Sequence, residues 1–317
     1  MSLTKESLRI VYMGTPDFAV ESLKALVEGG YNVVAVVTMP DKPMGRHGSV
    51  LQPSPVKQYA VEHGLKVMQP VKLKDPEFVE ELQSFKADLQ IVVAFRMLPE
   101  IVWSMPPLGT FNAHASLLPK YRGAAPINWA VINGDTETGI TTFMLKHEID
   151  TGDIIDQVRI PIADTDNVGD VHDRLMELSG TLVTKTVDSI IDGTFKTVPQ
   201  EEGLVTAAPK IFRDTCRINW NMPTKKIYDF IRGLSPYPAA WTTLNGKSVK
   251  IYEATKEEGQ TALNKPGTIH SDSKSFIKAA TADGWLNIKV IQLEGKKRMP
   301  VSDLLRGFKC KEGSFFE

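Results

Sequence analysis

The chain has 317 residues, 42% hydrophobic and 24% charged, the composition of a soluble globular protein long enough for two domains. No stretch approaches the roughly 20 apolar residues needed to cross a bilayer, and the opening MSLTKESLRI lacks the apolar run of a secretory signal, so no membrane partner is expected. Net charge is -1, and the two cysteines, Cys216 and Cys310, stand far apart with no partner at metal spacing, which predicts a reducing, cytoplasmic setting and no disulfide framework.

The first half alternates strand and helix signals. Leu8 to Met13 is a short apolar run that meets a turn at Gly14-Thr15-Pro16. A helical pattern follows through Ala19, Leu23, Leu26 and Val27 and stops at Gly29-Gly30. Val33 to Val37 reads as a buried strand, and a long loop from Thr38 to Pro55 follows. Pro55 opens a helical stretch with Val56, Tyr59 and Ala60 on one face, Val67 and Met68 suggest a short strand, Phe78 to Phe85 looks helical, and Leu89 to Ala94 is again a buried strand. Continuous apolar strands separated by helices imply a mainly parallel, doubly wound α/β sheet covered on both faces. The first turn, GTPDFA, is not Gly-x-Gly-x-x-Gly, which argues against a nicotinamide or flavin dinucleotide.

Asn112-Ala-His114 comes next, then Ser116-Leu-Leu-Pro119, Arg122-Gly123-Ala124-Ala125-Pro126, a strand-like run from Gly139 to Leu145, and Asp150-Thr-Gly152. Residues two apart in an extended segment share a face, so Asn112 and His114 can project side by side. An amide can donate to an oxygen that becomes negative in a tetrahedral intermediate. An imidazole can move protons or carry a stabilising charge, and a carboxylate can fix the ring or relay a proton. With an amine as acceptor, acyl transfer by such a trio needs no serine or cysteine nucleophile.

A long helical segment runs from Val168 to about Ile191, and residues 194–209 read as a linker rich in turn and acidic residues. Trp220 to Arg232 reads as one helix. Strand-like runs follow at Ser248 to Tyr252, Gly267 to His270, Ser275 to Ala279 and Leu286 to Leu293, which suggests a small β-barrel. The net charge hides an asymmetry: residues 206–317 carry 19 Lys+Arg against 11 Asp+Glu, leaving 18 against 27 in residues 1–205. A basic second half suits a surface that meets polyanions, and an ordinary lysine-rich solvated domain reads the same way. His147 reads as a loop histidine beside the trio with no chemical step. His47, His63, His172 and His270 have no metal-like spacing, and no zinc motif is present, so no metal is expected.

Taken whole, the string from Asn112 to Gly152 resembles the formyltransferase family that uses 10-formyltetrahydrofolate. The opening Gly-Thr-Pro-Asp-Phe and Pro53-Ser54-Pro55-Val56-Lys57 resemble its methionyl-tRNA branch. The resemblance spans about residues 7 to 305. It implies a Rossmann-like formyltransferase catalytic domain over residues 1–193, a linker over 194–209, and an OB-like tRNA-binding barrel over 210–317, working as a monomer in translation initiation. It implies catalytic roles for Asn112, His114 and Asp150, with the formyl group moving from the folate co-substrate to the methionine amine of initiator tRNA. It puts the folate pocket at Phe95, Arg96, Met97 and Leu98 and at Ser116, Leu117, Leu118 and Pro119. Many relatives have glycine near Arg96, so its side chain either narrows that pocket or faces outward. The 38–57 loop resembles the one that grips the tRNA acceptor stem, with Arg46 as central contact and Lys42 beside it; an arginine fork suits phosphate and base edges. Ser235 to Trp241 resembles the second-domain signature, its aromatics read mainly as packing. A transferase acting on a small amine, such as an amino-sugar nucleotide or glycinamide ribonucleotide, would share the trio. A non-catalytic RNA-binding protein on the same scaffold is the alternative from another class.

Overall fold

The computed structural model describes residues 2–44, 50–257, 264–311 and 313–317. In chain order its strands are β1 (Ile10–Gly14), β2 (Val33–Val37), β3 (Lys42–Met44), β4 (Val50–Gln52), β5 (Val67–Met68), β6 (Leu89–Val93), β7 (Thr110–His114), β8 (Arg122–Gly123), β9 (Glu137–Met144), β10 (Ile154–Pro161), β11 (Ala207–Ala208), β12 (Ala240–Leu244), β13 (Lys247–Glu257), β14 (Ile269–Ser271), β15 (Ile277–Ala280), β16 (Trp285–Leu293) and β17 (Met299–Pro300). The helices are α1 (Phe18–Glu28), α2 (Pro55–Glu62), α3 (Pro76–Ser84), α4 (Glu100–Trp103), α5 (Pro126–Ile132), α6 (Val168–Ile191), α7 (Thr224–Leu234) and α8 (Val301–Leu304).

The first sheet has seven strands in the order β10-β9-β7-β6-β1-β2-β5. From β7 to β5 every pairing is parallel, and β9 runs antiparallel to β7. All five residues of β1 and of β6 are buried, as strands covered on both faces must be. Alternate residues Val11 and Met13 pack with Ala35, Val37 and Val92 against Phe78 and Leu82 of α3 and Val102 of α4. Tyr12, pointing the other way, donates its hydroxyl to Ala19 O of α1 at 2.5 Å. Helices therefore cover both faces, and the doubly wound, mainly parallel architecture read from the sequence is the one observed.

Helix starts follow local chemistry. Ser54 accepts from Lys57 N at the start of α2 and Asp75 from Glu77 N at the start of α3, each followed by a proline that has no N–H to lose. The helix expected over Trp220 to Arg232 instead begins at Thr224. Pro223 stops it from extending further back, and Trp220 packs in the barrel core against Phe316.

The second sheet is antiparallel, in the order β12-β13-β16-β15-β14 with β17 beside β16. Its edges are joined by the C-terminal residues. Thr243 and Glu317 exchange backbone hydrogen bonds at 3.1 Å on the β12 side, while Phe316 N donates to Gly267 O at 2.8 Å and Ile269 N to Ser314 O at 3.0 Å on the β14 side. The sheet thus closes into a barrel, which removes its free edges. Val249, Ile251, Ala279, Leu286, Ile288 and Phe316 fill the interior.

By contacts the chain divides into two compact units: Met1–Gly123, Thr138–Ile160 and His172–Ala207 in one, and Ala124–Glu137, Pro161–Val171 and Ala208–Glu317 in the other. The division differs from the continuous one expected. Asn128 of α5 donates to Gly233 O at 2.9 Å, and Arg232 donates to Asp166 O at 2.9 Å, which draws both short segments into the second unit. Among the described residues, no helix is long and apolar enough to cross a membrane.

Candidate active site

Asn112 and His114 lie at the C-terminal end of β7, between β6 and β9; Asn112 stands opposite Val92 on one side and Phe143 on the other. The Asn112 amide is half-buried, and its Oδ1 is buried without a hydrogen-bond partner among the described residues. A buried polar atom left unmatched costs about 1–3 kcal/mol. Among the described residues no group takes up that oxygen, so a ligand can complete the hydrogen bonding of this amide.

His114 is only 8% exposed. Its Nε2 lies 2.8 Å from Tyr121 O. A carbonyl only accepts, so Nε2 carries a proton and, in the neutral ring, Nδ1 is the lone-pair nitrogen. That Nδ1 faces Asp150 Oδ2 at 3.7 Å, too far for a hydrogen bond and close enough for an ion pair once the ring is protonated. The bond that orients the ring thus comes from Tyr121 rather than from Asp150. Asp150 Oδ2 accepts from Gly123 N at 2.8 Å, which aims the carboxylate at the imidazole.

Three non-glycine residues at the site adopt left-handed backbone: Ala94 at φ 47° after β6, Tyr121 at 62° and Asp150 at 56°. Such conformations cost of order 1 kcal/mol or more each and cluster where geometry is over-determined. Gly152 is fixed by space rather than by φ. A Cβ there would lie 1.5 Å from Met144 O of β9.

The residues expected to line the folate pocket fall into two groups. Met97 and Leu98 line a cleft of about 610 Å3 with Leu73, Lys74, Pro99, Glu100 and Ile101. Phe95 and Arg96 are half-buried beside it and are not part of its wall. The Arg96 guanidinium donates to Val71 O at 2.8 Å and to Pro70 O, so it fastens the segment after β5. Burial pulls its proton affinity down from the usual arginine value. In the second group Ser116, Leu118 and Pro119 are buried. Ser116 donates to Lys120 O at 2.7 Å, and Thr141 of β9 bonds both Ser116 O and Leu118 N. Leu117 is the half-buried member, and none of the four lines the cleft.

The long loop expected over Thr38 to Pro55 contains the hairpin β3–β4, with Lys42 paired to Gln52 and exposed. Arg46 lies outside the described residues. The hairpin's base is tied down: Thr38 Oγ1 meets Ser54 Oγ at 2.7 Å, and Asp41 takes hydrogen bonds from Lys57 and from Gln69, both at 2.7 Å. Those bonds, Lys57 first, hold the Asp41 carboxyl below its ordinary range. His147 is exposed and faces Glu100 at 3.5 Å. Among the described residues, no group of three His, Cys, Asp or Glu side chains could hold a metal ion.

Sequence reasoning named the trio and passed over the groups that hold it: the Tyr121 carbonyl, the Gly123 N–H and the Gln200 amide. The first two lie in the quoted Arg-Gly segment or next to it. Gln200, in the expected linker, carries no motif at all.

A sequence model described as formyl transferase matches residues 8–187, and one described as formyl transferase, C-terminal domain, matches residues 210–309. The methionyl-tRNA formyltransferase of Parabacteroides distasonis is 67% identical over 97% of this chain and 98% of its own length. That of Bacteroides fragilis is 65% identical over 98% of both. Among solved structures, the N-formyltransferase of Helicobacter canadensis, in complex with folinic acid and dTDP-3-aminofucose, superposes with TM-score 0.67 at 21% identity, over 92% of this chain and 100% of that one. At that identity the likeness speaks for the fold alone. The two matched regions and the near full-length identity establish that the chain belongs to the formyl transferase family, among its methionyl-tRNA formyltransferases.

Proposed function

We propose that the chain transfers the formyl group of 10-formyltetrahydrofolate to the amino group of methionine carried by initiator tRNA. The observation that carries this reading is the approach of His114 Nδ1 to Asp150 Oδ2 at 3.7 Å, two residues along β7 from the half-buried Asn112 amide. The neutral amine attacks the formyl carbon, and the carbonyl oxygen becomes an oxyanion held by the Asn112 NH2. The bond from the formyl carbon to N10 then breaks, N10 gains a proton, and the attacking nitrogen loses one. His114 Nδ1 receives or returns that proton, and Asp150 stabilises the imidazolium formed in between. Atoms and charge balance among the two substrates alone. Much of the acceleration comes from holding two large substrates in register.

Two features favour a tRNA acceptor over a small amine. One is the tied-down hairpin that presents Lys42, in the segment whose sequence also carries Arg46. The other is the basic barrel domain, where Arg213 and Arg217 each lie 5.5 Å over the Trp241 ring. In this reading residues 1–193 form the catalytic domain, residues 210–317 bind tRNA, and the enzyme works as a monomer in the cytoplasm. Phe95 to Leu98 and Ser116 to Pro119 then flank the folate, largely through backbone groups. The test is transfer of labelled formyl to charged initiator tRNA, with charged elongator tRNA and an amino-sugar nucleotide as controls. Label on the initiator alone is expected; label on the sugar alone overturns the reading. Arg46→Ala should raise KM for the charged tRNA about tenfold and leave KM for the folate within twofold, roughly the loss of one phosphate or base-edge contact. Equal damage to both constants would speak against a tRNA contact.

A further inference from the structure

We infer that Gln200 is a positioning residue of the formyl-transfer reaction, acting through Asp150. The inference rests on the role given to Asp150 above. Gln200 is 9% exposed and lies in the 194–209 segment that reads as a linker. Its Nε2 donates to Asp150 O at 2.7 Å and to Gly152 O at 2.8 Å. Its Oε1 accepts from Arg122 Nε at 3.0 Å and Arg122 Nη2 at 2.8 Å. A guanidinium only donates and a carbonyl only accepts, so these four bonds allow one orientation of the amide and satisfy it fully. Arg122 fixes which end faces the Asp150 turn, and its Nη2 is steadied in turn by Glu202 at 3.1 Å.

The turn needs such a clamp. Asp150 sits at φ 56°, a conformation an aspartate leaves readily when nothing holds it. Its carboxylate reaches His114 Nδ1 only while that backbone is kept. The same segment also holds the ring's other partner. Thr206 Oγ1 accepts from Tyr121 N at 2.9 Å and Thr206 O accepts from Arg122 N at 2.9 Å, and Tyr121 is the residue whose carbonyl orients His114 Nε2. An isolated bridge between Val198 and Ile154 of β10, with hydrogen bonds of 2.8 Å both ways, sets the register that brings Gln200 under the turn. The supposed linker is thus a brace across both sides of the imidazole.

A tether and a positioning group make different predictions. Gln200→Glu keeps the length and the acceptor for Arg122, and replaces the NH2 by an oxygen that faces two carbonyl oxygens. Single-turnover formyl transfer by folded Gln200→Glu is expected to be about 10²-fold slower, the scale of a misplacement of about 1 Å at a catalytic group. KM for folate and for tRNA should stay within twofold. Gln200→Met, which keeps the volume without polar atoms, should behave alike and serves if the charged variant does not fold. The decisive arm is the cycle with Asp150→Ala. If Gln200 works through Asp150, adding Gln200→Glu to Asp150→Ala costs nothing further, within twofold. A parental rate in the folded single variants overturns the inference, and so does a full second loss in the Asp150→Ala background. A parental rate in Asp150→Ala alone strikes instead at the role given to Asp150, which separates the two failures.

Discussion

Asn112→Ala should lower turnover by about 10²–10³, the usual effect of removing one oxyanion donor, with KM for both substrates changed far less. The reasoning is local. β7 is hydrogen-bonded on both sides, to β6 and to β9, so its backbone has no freedom to relocate the side chain. The Asn112 amide is half-buried, yet its Oδ1 has no partner among the described residues. A donor already in place when charge develops costs no reorganisation at that moment, which is why the loss falls on turnover and not on ground-state binding. The substitution also removes a partly unsatisfied polar group, so the variant should be at least as stable as the parent, and thermal unfolding checks that. Turnover equal to the parent's in the folded variant would remove Asn112 from the chemistry.

Gly152→Ala is the other large effect, and it begins in packing. The new methyl would lie 1.5 Å from Met144 O and 3.2 Å from the Phe143 ring. Neither can retreat easily, because Met144 N is bonded to Asp153 O at 3.0 Å and Phe143 is fully buried. The turn must move instead, and it carries Asp150 with it. A cost of about 3 kcal/mol, the upper range for overpacking, converts to roughly 6–12 °C in unfolding midpoint at about 2–4 °C per kcal/mol. Turnover should fall by at least the loss expected for Gln200→Glu, since both displace the same carboxylate. An alanine variant with the parent's melting midpoint and the parent's rate would mean that the turn is far softer than its contacts imply.

The sequence made the doubly wound half of the fold readable because its strands are continuous apolar runs and its helices start on Asp17, Ser54-Pro55 and Asp75-Pro76, all local signals. β10 and the hairpin β3–β4 were not readable. β10 is half-buried along most of its length and has no clean period, and the hairpin is two triplets among prolines, with Val50–Gln52 exposed. Barrel closure by Ser314 to Glu317 depends on pairing with strands far back in the chain, which no short window contains. The trio at the site was legible because i and i+2 on one strand share a face and Asp150 sits in a short turn motif. Its supports were not. The Tyr121 carbonyl is a backbone group and carries no side-chain signature, and Gln200 reaches Asp150 across 50 residues. Arg96, which the sequence allowed to face either way, turns to the carbonyls of Pro70 and Val71.

The most direct test is a crystal structure with a donor analogue whose formyl group sits on N10 and cannot leave. The formyl oxygen should lie about 3 Å from the Asn112 amide nitrogen, with His114 Nδ1 and the Asp150 carboxylate turned towards the same carbon. A formyl group bound away from these three side chains, with Asn112 still unpartnered, would contradict the account.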